Sequence, residues 1–252
     1  MAENRSPWQL LAQGRGEEAL GRFRKAFAEE ENLPNSLTLG VAQLWLEDYQ
    51  AAWEHFDTVN RHFDVGNRKR PKYASLYSLA GAAKWCLNEH AGAVAEWRRG
   101  CKCGYTDGAG GVSTRLLLFG ASVIDPASCS RTEPEELLDK CSKSGWYKNW
   151  PGPIGDYVLG RIDEDGLRSE GSRFKNNERG MFSVRWEIDF YVGIVAMAHG
   201  NVRRYRKAIK EASAIADDDF DPTKKQYLTK MRKPEFYLAR HLAAGFGPTS
   251  SE

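Results

Sequence analysis

LTLGVAQLWLEDYQAAWEHFDTV, from Leu37 to Val59, decides the fold. Its apolar residues recur at three- and four-residue steps, the spacing that lines one face of a helix. The polar break at Leu46-Glu47-Asp48-Tyr49 divides the stretch into two antiparallel helices. Leu37, Gly40, Val41 and Leu44 line the first helix, while Ala52, Phe56 and Val59 form a small-large-medium ridge on the second. A glycine inside a helix costs about 1 kcal/mol relative to alanine. Gly40 is therefore expected where a large residue of the paired helix needs the space.

The pattern repeats on both sides. Ala19, Phe23 and Ala26 precede Ala52, Phe56 and Val59 by 33 residues, in a helix expected from Glu17 to Glu30. Before it, Ser6 and Pro7 open a short helix to Gln13, with Ser as N-cap and Pro at the first helical position. Downstream, Asp64 to Pro71 reads as a polar, basic loop. Tyr73 to Leu87, with Gly81 in mid-helix, then repeats the first-helix pattern, and Ala93, Trp97 and Gly100 repeat the second. Gly100 to Gly111 is too glycine-rich for a helix and reads as a connection.

Leu116 to Ile124 and Glu135 to Lys143 read as a fourth, degenerate hairpin. Trp146 to Gly155, WYKNWPGPIG, combines aromatic residues that call for burial with prolines and glycines that forbid a long helix. Short helices are expected over Asp156 to Leu159 and Glu164 to Ser169, then a polar loop over Gly171 to Gly180. Arg185 to Ala212 restores the hairpin pattern around Gly193. Asp217 to Asp221 reads as an acidic linker, and a last helical region begins at Tyr227, with Pro234 marking a break before Glu235 to Ala243. Single hairpins bury too little to stand alone, so neighbours stack. The expectation is an all-α solenoid of helical hairpins with irregular central linkers. It forms one domain over residues 1–252, with N-terminal repeats in 1–103, a linker-rich stretch in 104–180 and C-terminal repeats in 181–245.

Leu39-Gly40, Tyr49, Ala52 and Phe56, echoed by Gly81, Ala93 and Trp97, resemble the tetratricopeptide repeat. YTDGAGG (Tyr105 to Gly111), WPGPI (Trp150 to Ile154) and the last hairpin together resemble a narrower bacterial family. That family places these linkers between early and late repeats. Its members occur beside secreted polymorphic toxins, where they look like immunity proteins. The resemblance implies a cytoplasmic protein that binds and neutralises a cognate toxin domain, or alternatively a general adaptor or secretion chaperone for peptides. It also implies that first helices line a concave face, which here would present Leu37, Val41 and Trp45, then Trp85, then Glu187, Phe190 and Tyr191. Leu37, Val41, Trp45, Trp85, Phe190 and Tyr191 are thus the expected partner-binding residues. Thr38 and Leu79 stand where repeats that clamp a carboxylate carry asparagine. An apolar inner face of this kind either receives a partner or is filled by Trp146 to Ile154 or the last helix folding back.

Other functions find little support. With 36 basic and 34 acidic residues, nothing favours wholesale nucleic-acid binding. No apolar stretch approaches the ~18 residues of a membrane span, and the first residues do not read as a signal peptide. An odd count of five cysteines (Cys86, Cys101, Cys103, Cys129, Cys141) fits reduced thiols in the cytoplasm. Cys101-Lys-Cys103 lacks the spacing of a zinc knuckle, so no metal is expected. Gly104 to Gly111 lacks the Lys-Ser/Thr of a phosphate-binding loop, so no nucleotide or other cofactor is expected. The five histidines fall into no nucleophile-base order, and the chain is not expected to be an enzyme.

Overall fold

The chain enters its first helix, α1 (Pro7–Ala12), through a capping box. The Gln9 amide donates to Ser6 Oγ, and the Ser6 amide donates to Gln9 Oε1. This computed structural model describes residues 6–64, 73–104, 106–173, 183–214 and 233–246. Among them stand thirteen α-helices and no β-strand. They pair in order as α1 with α2 (Gly16–Glu29), α3 (Leu33–Trp45) with α4 (Tyr49–Asp64), and α5 (Ala74–Cys86) with α6 (His90–Gly100). Next come α7 (Val112–Ile124) with α8 (Thr132–Ser142), α9 (Gly152–Val158) with α10 (Glu164–Arg173), and α11 (Ser183–Ala198) with α12 (Val202–Ser213). The last described helix, α13 (Pro234–Ala244), packs on α12, and among the described residues it is not joined to a hairpin partner. Each helix packs on the next in sequence, so the fold is an all-α solenoid of stacked hairpins.

Five of the six hairpins share one corner. Gly14, Glu47, Asn88, Gly160 and Gly200 all have φ between 62° and 74°. In each, the left-handed residue donates its amide to the carbonyl three residues back, and the next residue donates to the one five back, as in Asp48 to Gln43 and Glu89 to Lys84. These bonds satisfy the carbonyls that a helix end leaves open.

The glycines inside the first helices have the expected cause. A methyl added at Gly40 would run into the Phe56 ring, and one at Gly81 would stand 2.6 Å from Trp97 Cδ1. At Gly193 the neighbours are Ile209 side-chain atoms at 3.1 Å. Phe56, Trp97 and Ile209 are all buried. Trp97 also donates from Nε1 to the Ser78 carbonyl at 3.1 Å, so the notch in α5 holds both the ring and its polar edge.

Several boundaries differ from expectation. The first helix of the second hairpin starts at Leu33, earlier than Leu37, because Asn32 caps it by accepting from the Asn35 amide. The stretch from Gly171 is not all loop: α10 runs to Arg173, with Gly171 packed under Ile188 and Val184. The two short helices after Trp150 form a hairpin of their own, turned at Gly160. Pro234 opens the last helix at a position where proline suits it. The basic loop at 65–72, the acidic linker at 217–221 and the region from 227 to 232 lie outside the described residues.

The buried residues form two large clusters. One is built from α1 to α5, and the other runs from α5 and α6 through α12. Helix α13 joins them: Phe236 and Tyr237 belong to the first, Leu238 and Ala239 to the second.

Candidate functional site: the face closed by the last helix

The inner face, expected either to receive a partner or to be filled by the chain itself, is covered by the last described helix. Pro234 to Ala239 are six consecutive buried residues, so α13 is enclosed where it crosses α3, α5, α11 and α12. Phe236 stacks on Trp45, with centroids 5.9 Å apart, and meets Trp186 edge-on at 6.5 Å. Tyr237 donates from its hydroxyl to the Val41 carbonyl at 3.4 Å. Arg240 pairs with Glu47 at 2.8 Å and lies over the Trp45 ring.

Of the six residues expected to meet a partner, Val41, Trp85, Phe190 and Tyr191 are buried, with at most 2% of their surface exposed. Leu37 and Trp45 are half-buried and pack on the N-terminal core. Of the two alternatives expected for this face, the structure shows the filled one, with the last described helix lying on it. The apolar face exists, but the chain's own last helix supplies the apolar partner that hydrophobic burial favours.

A charged cluster fastens the start of α13. Both oxygens of the buried Glu187 accept hydrogen bonds, from Trp150 Nε1 at 2.8 Å and from Lys233 Nζ at 2.7 Å. Glu235, also buried, accepts from the Tyr191 hydroxyl at 3.0 Å through Oε1, while its Oε2 has no partner. Burial, and then the neighbouring Glu187, push the Glu235 carboxyl up to about 7. Burial pulls the Lys233 ammonium down, but Glu187 and Glu235 outweigh it and raise the group to about 12. Burial and Glu235 also push the Tyr191 phenol well up. One cation thus serves two buried carboxylates, and a proton on Glu235 relieves the repulsion between them.

The linkers carry Trp150 to this cluster. Asp107 accepts amide hydrogens from Ala109, Gly111 and Ser113, which folds the glycine-rich connection into a tight cap on α7. Asn149 Nδ2 donates to the Gly108 carbonyl at 3.0 Å, tying the second linker to the first. Gly152 and Gly155 lie against Tyr147, where any side chain would collide with it. The two motifs therefore form one unit. Trp150 points inward from it, and Trp146 stands 70% exposed.

All five thiols are free, and burial pushes those of Cys86, Cys101 and Cys129 up to about 12, 11 and 11. A cavity of about 560 Å³ between α9 and α12 is lined in part by Asp163, Glu164 and Arg204. Glu164 there pairs with Arg168 and Arg204, and Asp163 caps α10 by accepting from the Gly166 amide. Among the described residues no group of His, Cys, Asp and Glu is placed to hold a metal, and no helix is long and apolar enough to cross a membrane.

Glu187 was expected on the inner face. Trp146, Tyr147 and Trp150 were all expected to be buried, and this is corrected for Trp146, which stands in solvent while Tyr147 is buried and Trp150 half-buried. Lys233 and Glu235 were missed. The available signal was the stretch Pro234 to Ala239, in which Phe-Tyr-Leu-Ala follows a helix-opening proline with no solvent face.

No protein-family model, curated protein or solved structure matches this chain.

Proposed function

We propose that this chain is a tetratricopeptide-like binding scaffold of the cytoplasm, an immunity protein that neutralises a cognate toxin domain by covering it. The supporting observation is the joining of the two linker motifs into one unit that displays Trp146. Of eight tryptophans, Trp146 is the one largely in solvent. An exposed aromatic on a short 3-10 helix (Gly145–Lys148) is the kind of side chain that dominates protein interfaces.

The partner reading rests on the resemblance carried by these linkers. Co-expression with the neighbouring toxin gene tests it, with growth rescue and co-purification expected. Trp146→Ala should leave melting within about 0.5 kcal/mol of wild type while weakening rescue. Absence of both rescue and co-purification with the wild-type chain would refute the toxin partner.

A further inference from the structure

Among the described residues six hairpins pair in order, and α13 lies across α5, α11 and α12. It lies on the stack as a helical ligand lies in a groove. Phe236 sits on Trp45 and Trp186, Tyr237 reaches the Val41 carbonyl, and Arg240 meets Glu47 at the rim. Glu235 Oε2 and Trp186 Nε1, both buried beside α13, are two of the six buried side-chain atoms without a hydrogen-bond partner among the described residues, and they leave polar capacity at this face unused. A narrow apolar void also remains where Leu238 faces Trp85, Gly120, Ile124 and Phe190.

We propose that the face beneath α13 is a helix-docking site and that α13 is its resident, displaceable occupant. The ligand that replaces it is an amphipathic helix of a partner protein, carrying two adjacent aromatic residues and a basic residue on one face, as Phe236, Tyr237 and Arg240 do here. The small void at Leu238 leaves room there for a side chain of similar volume and different shape. Charge complementarity comes from Glu47 at one end and Glu187 at the other, the carboxylates that now hold Arg240 and Lys233. This inference deepens the binding-scaffold reading and rests on it, but its test needs no toxin.

Closure also takes up a proton. Glu235 is faced by Glu187 and Tyr191 from α11 and by Lys233 from its own approach, with Trp150 bound to Glu187 and Asp107 acting on Lys233. The other titratable groups against α13 lie further along it: Cys86 of α5 at the Tyr237 carbonyl, Glu47 at Arg240, His90 near His241, and Arg206 of α12 at Phe246. A carboxyl raised to about 7 when docked, against an ordinary value near 4.3, favours closure at low pH and loses that contribution as pH rises through 7. Closure should weaken about tenfold between pH 6 and 8.

The experiment uses the full chain and a labelled synthetic peptide of residues 233–246. Anisotropy should show the peptide binding Arg240→Glu protein about tenfold more tightly than wild type, because the variant loosens α13 and leaves the groove intact. A peptide with Leu238→Met should bind at least as well, and a peptide carrying Arg240→Glu should not compete. Hydrogen exchange should show α13 opening before α5 and α11. After correction for intrinsic rates, that opening should increase with pH in wild type and not in Glu235→Gln. Failure of the peptide to bind either protein, with α13 exchanging only on global unfolding, would overturn the proposal and leave the toxin assay unaffected. Dimerisation of Arg240→Glu through an exchanged α13 would also overturn it, by giving the groove to a second copy.

Discussion

Gly81→Ala should destabilise the protein even though it replaces glycine with the best helix former. In α5 the change alone gains about 1 kcal/mol of helix propensity. The added methyl, however, would stand 2.6 Å from Trp97 Cδ1 and closer still to Nε1. Trp97 is 1% exposed, stacks on Trp85 with centroids 5.6 Å apart, and donates to Ser78, so the ring cannot step aside without breaking contacts. Overpacking of this kind costs about 1–3 kcal/mol. Stranding a buried N–H costs a further ~1–3 kcal/mol. The net loss is about 2 kcal/mol or more, a fall of roughly 4–8 °C in melting temperature for a chain of this size.

Gly120→Ala supplies the control. Gly120 is in mid-helix in α7, with no atom within 4 Å of the added methyl, and it borders the void under Leu238. That substitution should stabilise by about 0.5–1 kcal/mol. Urea unfolding followed by circular dichroism measures both. Gly81→Ala melting at or above wild type, with the near-ultraviolet tryptophan signal retained, would show that the notch in α5 is not what sets the distance between α5 and α6.

Lys233→Met should cost about 3–5 kcal/mol, because it leaves Glu187 and Glu235 buried together without their cation; denaturant unfolding near pH 7 reads the loss. Asp107→Ala removes the acceptor of three amides at the head of α7 and should lower stability by about 1–2 kcal/mol, measured by thermal melting. The thiols should react slowly with an aromatic disulfide reagent at pH 8 until the chain unfolds, since burial holds those of Cys86, Cys101 and Cys129 near 11–12. Fast labelling of the folded protein would contradict that placement.

The hairpins were legible in the sequence wherever a glycine faced an aromatic residue across a helix pair. Gly40 with Phe56 and Gly81 with Trp97 are local pairings in which a small and a large residue sit a fixed distance apart, so periodicity alone reveals them. The α9–α10 hairpin carries no such pair, and its corner at Gly160 looks in sequence like any loop glycine. The inner face was readable as apolar, and the last helix as one of its two expected occupants, but the individual contacts between them were not. Val41 meets Tyr237 across 196 residues, and Trp45 meets Phe236 with similar separation. Nothing in the local pattern of either partner encodes that encounter. The buried carboxylates were harder still, because Glu187 and Glu235 resemble surface residues until Lys233 and Tyr191 are placed beside them.

Glu47 holds a left-handed backbone at a corner where three other hairpins use glycine and one uses asparagine. For a side chain of this kind that conformation costs about 1–2 kcal/mol. Its carboxylate finds Arg240 only 193 residues later. On a ribosome adding about 5–20 residues per second, that separation is roughly 10–40 s of synthesis. For most of that interval, from the completion of the third hairpin at Gly100 onward, the apolar face at Val41, Trp45 and Trp85 is uncovered, and the residue that latches the cover waits without its counter-charge. The order of synthesis thus gives the nascent chain a period in which this surface is open to whatever apolar helix arrives first.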